Sequence, residues 1–294
     1  MAPSRPGSSG HYVHARAVSA IDGERLNLSI SLLAGDPPVD HRVAHASAAG
    51  YRALESWWPW STLVPAPGRL AALTDALIAN DARLDLLNLA EGPSKYGRHG
   101  LASIAAAHEE FWANARAALA VAPRLGVRLL HVLAGNVGDD RDLSLELLSE
   151  RLLRLSDLAA PLNIGLVVEL LNRDDHPDYL VGDAATAIGV IEDVRPRAVG
   201  DIGLLADTYH LARSGIDPAA FLAAHADLVA HVQLADHPGR GRPGSGGIDF
   251  PAVFAALDRA GYRARFGLEF LPDGSPIPNA VAFGELLSRS VRTR

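Results

Sequence analysis

Apolar and polar positions alternate over the 294 residues in a long-range rhythm. Short apolar runs rich in Val and Leu, which read as parallel strands covered on both faces, recur between stretches with helical spacing. The pattern predicts strands over residues 26–33, 51–56, 84–89, 127–133 and 164–170, a sixth from 199 to 206, then 228–234 and 264–269. Helices are predicted between them over 39–49, 68–80, 103–122, 144–158, 183–192, 218–225, 251–260 and 279–291. Eight strand–helix units in succession imply a parallel sheet with right-handed crossovers. At this length they favour a single closed (β/α)8 TIM barrel, an α/β fold, over an open doubly wound sheet. Residues 1–24 are rich in Pro, Ser and Gly and lack periodicity, so they are expected to be a flexible tail ahead of a barrel domain over 25–294. His11 and His14 in that tail are read as uninvolved side chains rather than metal ligands.

The run Ile164-Gly165-Leu166-Val167-Val168-Glu169-Leu170-Leu171-Asn172 places a carboxylate where a buried strand should stop. Ionised carboxylates are costly to bury unless something pairs with them or a metal takes them. The chain repeats the arrangement. Asp207 follows the run 199–205, with His210 one turn on; Gln233 follows 228–231; Glu269 follows 265–268. In a barrel these positions fall at the carboxyl ends of the strands, where sites are built.

Three carboxylates and an amide supply only hard oxygen donors, which suit one Mg²⁺ or Mn²⁺ better than zinc. A cation held there could polarise a substrate carbonyl and grip a neighbouring hydroxyl. Glu169 and Glu269, on strands five and eight, would approach from different sides. That suits proton removal by one and return by the other through an enediolate. His210 could donate to a substrate oxygen or orient Asp207. A strand-end acid can equally cap the following helix, and a strand histidine such as His131 is more often a hydrogen-bonded core residue. The joint pattern is what points to a cation. The cluster Trp57-Trp58-Pro59-Trp60 reads as packing at the barrel mouth, and it could also wall a small pocket.

Composition narrows the classes further. With 48% hydrophobic residues the chain can bury a large core, and it has no cysteine, which excludes disulfides and thiolate metal sites. A net charge of −7 disfavours a nucleic-acid partner. No apolar run is long enough for a membrane span, and the amino terminus lacks a signal-peptide core, so a cytoplasmic location is expected. The sole lysine is Lys95. Gly239-Arg240-Gly241-Arg242-Pro243-Gly244 fits G-x-G-x-x-G literally, but it sits in unit seven, contains a proline and does not open into a helix. It reads as a mobile loop whose Arg240 and Arg242 could reach an anionic substrate or equally stay solvated. There is no G-x-S-x-G, and His108-Glu109 lacks the second histidine of a zinc-protease helix because position 112 is Trp.

Several longer segments carry a family likeness. His231-Val232-Gln233-Leu234-Ala235-Asp236, Pro238-Gly239-Arg240, Pro243-Gly244-Ser245-Gly246 and Ile248-Asp249-Phe250-Pro251 resemble the late barrel segment of the hydroxypyruvate isomerase family, a branch of the xylose isomerase-like TIM barrels. Leu257 to Tyr262, Gly267-Leu268-Glu269-Phe270, Asp207-Thr208-Tyr209-His210, Asn27-Leu28-Ser29 and His131 to Gly135 extend the match across roughly residues 26–290. The resemblance implies Glu169, Asp207, Gln233 and Glu269 as metal ligands, and Glu169 and Glu269 as the proton-transfer pair. It implies interconversion of hydroxypyruvate and tartronate semialdehyde, and it suggests a homodimer. His210 and His131 are expected to bind substrate, with Arg240, Arg173, Lys95 and Arg98 the candidate cations for its carboxylate. Leu170 stands where the family usually has Pro, Asn172-Arg173 is similar to epimerase-type members, and Gly247 stands where an acid is common. A 3-epimerase or isomerase of free ketoses or longer oxo-acids is therefore the alternative, and a non-catalytic barrel binding a sugar acid a third reading.

Overall fold

The computed structural model describes residues 23–33, 37–97 and 99–292. Most of the expected tail, with His11 and His14, and the candidate cation Arg98 lie outside the described residues. A short 3₁₀ turn, Gly23–Arg25, leads into the first strand.

Eight parallel strands close into a barrel in sequence order: β1 (Leu26–Ser29), β2 (Ala53–Ser56), β3 (Arg83–Asn88), β4 (Leu129–His131), β5 (Gly165–Glu169), β6 (Ile202–Asp207), β7 (Val229–Leu234) and β8 (Phe266–Leu268). Closure is made by β1 against β8, with Asn27 opposite Gly267. The outer ring is α1 (Val39–Ala48), α2 (Pro67–Ala79), α3 (His108–Leu125), α4 (Arg141–Ala159), α5 (Ala184–Val194), α6 (Thr208–Arg213), α7 (Pro218–His225), α8 (Phe250–Arg259) and α9 (Ala280–Arg292).

Strand period sorts the residues into two cores. On β5, Leu166 and Val168 point outward into the large core between strands and helices. Val167 points inward and packs with Leu86 and Leu205 in a small apolar plug. Each buried Leu or Val contributes roughly 1.5–3 kcal/mol, so the plug anchors the barrel floor. One inward step along each plug strand lies a polar residue: Asn88 beyond Leu86, Glu169 beyond Val167, Asp207 beyond Leu205. All three are buried.

Several strands are shorter than the apolar runs predict. Ile30, Val127 and Val132 are buried yet lie outside β1 and β4. Hydrophobicity reports burial, whereas the hydrogen-bonded ladder ends sooner. α3 starts at His108 rather than 103, after a 3₁₀ turn at Ala105–Ala107. α6 was not foreseen. Its six residues carry little periodicity, and it starts because Asp207 accepts the backbone N–H of Tyr209 and His210.

The loop after β7 is tied by one buried carboxylate. Asp236 accepts the backbone N–H groups of His237 (2.8 Å), Gly244 (2.8 Å), Gly246 (2.8 Å) and Ile248 (3.0 Å). This closes the segment that carries Arg240. Asp236→Ala strands those donors, so we expect a loss of about 2–3 kcal/mol of stability, as charge-assisted bonds of this kind are worth. Amide exchange should accelerate across 237–248 while the barrel strands keep their protection; unchanged exchange in the loop would contradict the assigned role.

Candidate active site

The carboxyl ends of the strands open into a cavity of about 700 Å³. It is lined by Trp57, Trp58 and Trp60, by His99, His131, His176 and His210, and by Glu169, Glu269 and Arg240. The Trp58 and Trp60 rings meet edge to face at 4.7 Å, so the aromatic cluster walls the cavity as well as packing at its mouth.

Glu169 ends β5, Asp207 ends β6, Gln233 lies near the end of β7 directly opposite Asp207 in register, and Glu269 follows β8. All four are buried. Oxygens of Glu169 and Asp207 and a ring nitrogen of His210 lie within 4.8 Å of one another, close enough for one ion. Arg240 joins Glu269 to this group, because its guanidinium donates to Glu269 Oε2 at 2.7 Å and to Asp207 Oδ2 at 3.4 Å. Glu269 Oε1 accepts from the Trp57 indole at 2.8 Å and from Ser29 Oγ at 3.2 Å.

Three carboxylates therefore face one guanidinium, an imbalance that raises proton affinity. Burial, with Asp207 and Glu269 nearby, pushes Glu169 well above the usual carboxylate range. Burial also raises Asp207, although Arg240 and the α6 amides oppose it. Glu269 is pushed up to about 7 by burial, again against the pull of Arg240. Arg240 is held more firmly protonated than usual, since the surrounding acids outweigh its own desolvation.

The histidines are driven the other way. Burial lowers His131 to about 3 and His176 to about 4, so both rings are neutral near pH 7. His131 Nε2 is 3.6 Å from Glu169 Oε2, too long for a hydrogen bond. His210 is also lowered, mainly by burial and Arg240. Its Nδ1 accepts the backbone N–H of Asn172 at 3.1 Å. A backbone N–H cannot reverse its role, so the ring proton sits on Nε2. His210 is thus prepared to donate, and ligation through Nε2 would cost it that proton.

The donor set fits a hard divalent cation. Glu169 Oε1 and Gln233 Oε1 are buried without a hydrogen-bond partner, and buried oxygens are rarely left so. A cation would satisfy them and balance the acids.

Two expected carboxylate-binding cations are not brought to the cavity. Lys95 pairs with Glu110 at 3.2 Å on an exposed turn, and Arg173 pairs with Asp183 at 2.9 Å; neither lines the wall. Arg242 turns to Asp273 and the carbonyls of Ser275 and Pro276. Among the described residues, the cation lining the cavity is Arg240. Contacts that sequence reasoning did not assign, and Glu55, which it passed over, also matter here. Trp57 and Ser29 hold Glu269, and Glu55 lies buried among Asn27, His231 and Gln233. Glu55 closes a short apolar strand as the other acids do, which is the signal that could have found it.

A carboxyl with a native pKa above its unfolded value binds more protons folded than unfolded between the two. Its contribution to stability is full in acid and is lost as pH rises, here from about 4.5 to about 7 for Glu269. In EDTA, Glu269→Gln should therefore gain stability relative to the native chain between pH 4.5 and pH 7, read from paired thermal unfolding curves. A difference that stayed flat or reversed would count against the raised pKa.

Comparison with known proteins agrees with this architecture. The sequence profile of the xylose isomerase-like TIM barrel family matches residues 43–287. A Streptomyces coelicolor protein provisionally named a hydroxypyruvate isomerase is 34% identical over 274 residues, covering 92% of this chain and 98% of its own. The Escherichia coli hydroxypyruvate isomerase is 27% identical, over 84% of this chain and 93% of its own. A 2-oxo-tetronate isomerase from Cupriavidus necator is 26% identical over the same shares, 84% and 93%. A Brucella melitensis crystal structure titled as an AP endonuclease, family 2, superposes with a TM-score of 0.77 at 26% identity, covering 86% of this chain and 95% of that one. With the closed eight-stranded barrel and the acid-lined mouth in view, this chain belongs to the xylose isomerase-like TIM barrel family.

Proposed function

We propose that this chain is a divalent-metal-dependent isomerase of small hydroxy-oxo acids that interconverts hydroxypyruvate and tartronate semialdehyde. The observation that carries the reading is the buried oxygen set at the strand ends, with Glu169 Oε1 and Gln233 Oε1 left without partners. The names of the relatives support the substrate class.

Glu169, Asp207, Gln233 and Glu269 would hold Mg²⁺ or Mn²⁺, which when bound would polarise the ketone and acidify the adjacent C–H. The rest of the chemistry belongs to side chains. One of Glu169 and Glu269 takes a proton from C3 of hydroxypyruvate, and a carboxylic acid returns one to C2 of the enediolate; the hydroxyl proton passes from O3 to O2. A positioned carboxyl suits both directions, since it can take a proton as carboxylate and return it as acid. His210, neutral with its proton on Nε2, donates to a substrate oxygen without carrying charge into the site. Arg240 receives the substrate carboxylate, for which its planar fork is suited. The tryptophan wall keeps water from the enediolate.

A four-carbon acid is the second reading. Relatives named 2-oxo-tetronate isomerase match this chain over similar lengths, and a cavity of about 700 Å³ exceeds what a three-carbon acid fills.

We expect hydroxypyruvate to be converted to tartronate semialdehyde in a reductase-coupled assay, with loss of turnover in EDTA and recovery on adding Mn²⁺. Glu269→Gln should lower kcat by about 10²–10⁴-fold, the usual worth of a general acid–base group. Turnover indifferent to EDTA or to Glu269→Gln would end the reading, and faster turnover of 2-oxo-tetronate would move the substrate to four carbons. Arg240→Leu should raise KM for the acid by about tenfold or more, the loss of one charge-assisted bond; an unaltered KM would leave the carboxylate bound elsewhere.

A further inference from the structure

Below the acid-lined mouth a second carboxylate, Glu55, lies almost fully enclosed at the end of β2. Its oxygens receive three nitrogens from two strands, one from β1 and two from β7. Asn27 Nδ2 donates to Oε1 at 3.1 Å, His231 Nε2 meets Oε1 at 2.7 Å, and Gln233 Nε2 donates to Oε2 at 2.8 Å. Amide NH₂ groups can only donate, so both oxygens of Glu55 act as acceptors.

This has a direct consequence for Gln233. Its side chain carries a donor and an acceptor on one planar end. Turned the other way, its carbonyl oxygen would confront the carboxylate, acceptor against acceptor. With NH₂ committed to Glu55, Oε1 must face away, and that oxygen is the buried atom without a partner. Without Glu55, nothing among the described contacts of Gln233 would stop the amide from presenting NH₂ to a cation. The neighbouring strand makes room for the arrangement. Gly267 lies opposite both Asn27 and Gln233 in register, and a Cβ added to it would land on Glu55 Oε1 and Oε2.

We infer that Glu55 is a positioning residue: it locks the Gln233 amide so that its carbonyl oxygen faces the cation site, and Gly267 is glycine to leave space for that carboxylate. The inference rests on the metal reading above, and the two can fail separately.

The test is Mn²⁺ affinity of the metal-free full chain, measured by calorimetry or by the free Mn²⁺ spin-resonance signal, with folding checked by circular dichroism. Native chain that binds no Mn²⁺ would defeat the metal reading itself. Given native binding, Glu55→Met removes both acceptors at similar volume and should weaken affinity by about tenfold or more, as loss of an outer-shell partner does. Glu55→Gln keeps one acceptor oxygen for Gln233, and its NH₂, standing where Oε1 was, can donate to Asn27 Oδ1 once that amide turns and to His231 Nε2 in the tautomer protonated on Nδ1. It should retain affinity within about threefold of native, as a role carried by orientation rather than charge requires. In a Gln233→Ala background, Glu55→Met should change affinity by less than about twofold, because the coupled partner is gone.

Native-like affinity in folded Glu55→Met overturns the inference. So do equal losses in Glu55→Met and Glu55→Gln, which would mark a pure charge effect, or an undiminished loss in the Gln233→Ala background. If Glu55→Met does not fold, Gly267→Ala decides instead: it crowds the carboxylate off Gln233 and should weaken Mn²⁺ binding, and native affinity there overturns the inference.

Discussion

Three carboxylates share the mouth of a barrel with too little positive charge to balance them, and much of the site is arranged around that tension. Glu169 on β5, Asp207 on β6 and Glu269 just beyond β8 are all buried. Moving a carboxylate out of water costs several kcal/mol even after relaxation. The chain meets part of that cost with α6 amides at Asp207, with Trp57 and Ser29 at Glu269, and with Arg240 between the two. Glu169 receives least, and burial with its acidic neighbours raises its proton affinity well above normal. A site under such strain is selective for whatever small positive charge can enter it, whether proton or metal.

How much of this could be read from residues follows the same logic. Glu169, Asp207, Gln233 and Glu269 were legible because each interrupts or ends an apolar run, and a barrel sends such positions to one end. Glu55 obeys the same rule and was passed over, because its strand is short and the eye-catching tryptophans follow at once. Lys95 and Arg173 show the limit of searching by charge. A cation in the sequence is a candidate for any anion, and only three dimensions reveal that Glu110 and Asp183 already hold these two. Arg240 stands out in the sequence because the glycine-rich stretch 239–244 reads as a loop able to carry its cation to an anionic substrate. What keeps that loop in place, the four backbone donors converging on Asp236, leaves no trace in hydropathy. Arg98 and the expected tail lie outside the described residues and bear on neither side of this comparison.

The strand runs were overdrawn for a related reason. Apolar side chains continue past the point where neighbouring backbones stop pairing, so pattern marks the extent of the core and not of the sheet. α6 is the converse: its six residues are too few for a period, and it exists because Asp207 caps it. That cap and the contact with Arg240 use different oxygens of the same carboxylate. The helix-cap and ligand readings, which the sequence leaves as alternatives, are therefore compatible at this residue.

Seen in layers, the barrel interior passes from an apolar floor to a carboxylate bonded on both oxygens, and then to acids with fewer partners. Leu86, Val167 and Leu205 form the floor. Glu55 with Asn27, His231 and Gln233 forms a hydrogen-bonded tier in which both carboxylate oxygens are used. Burial alone would raise Glu55, but His231 and the three hydrogen bonds outweigh it and hold this acid below the usual range, opposite to its neighbours at the mouth. The contrast between two sets of buried acids in one barrel comes from partners, since both are equally removed from water. A carboxylate held on both oxygens is rigid, because any displacement breaks strong, desolvated bonds. Gln233, tied to it through its NH₂, keeps its free oxygen aimed at one place. The reactive end of such a barrel depends on the ordinary hydrogen bonding one residue layer beneath it.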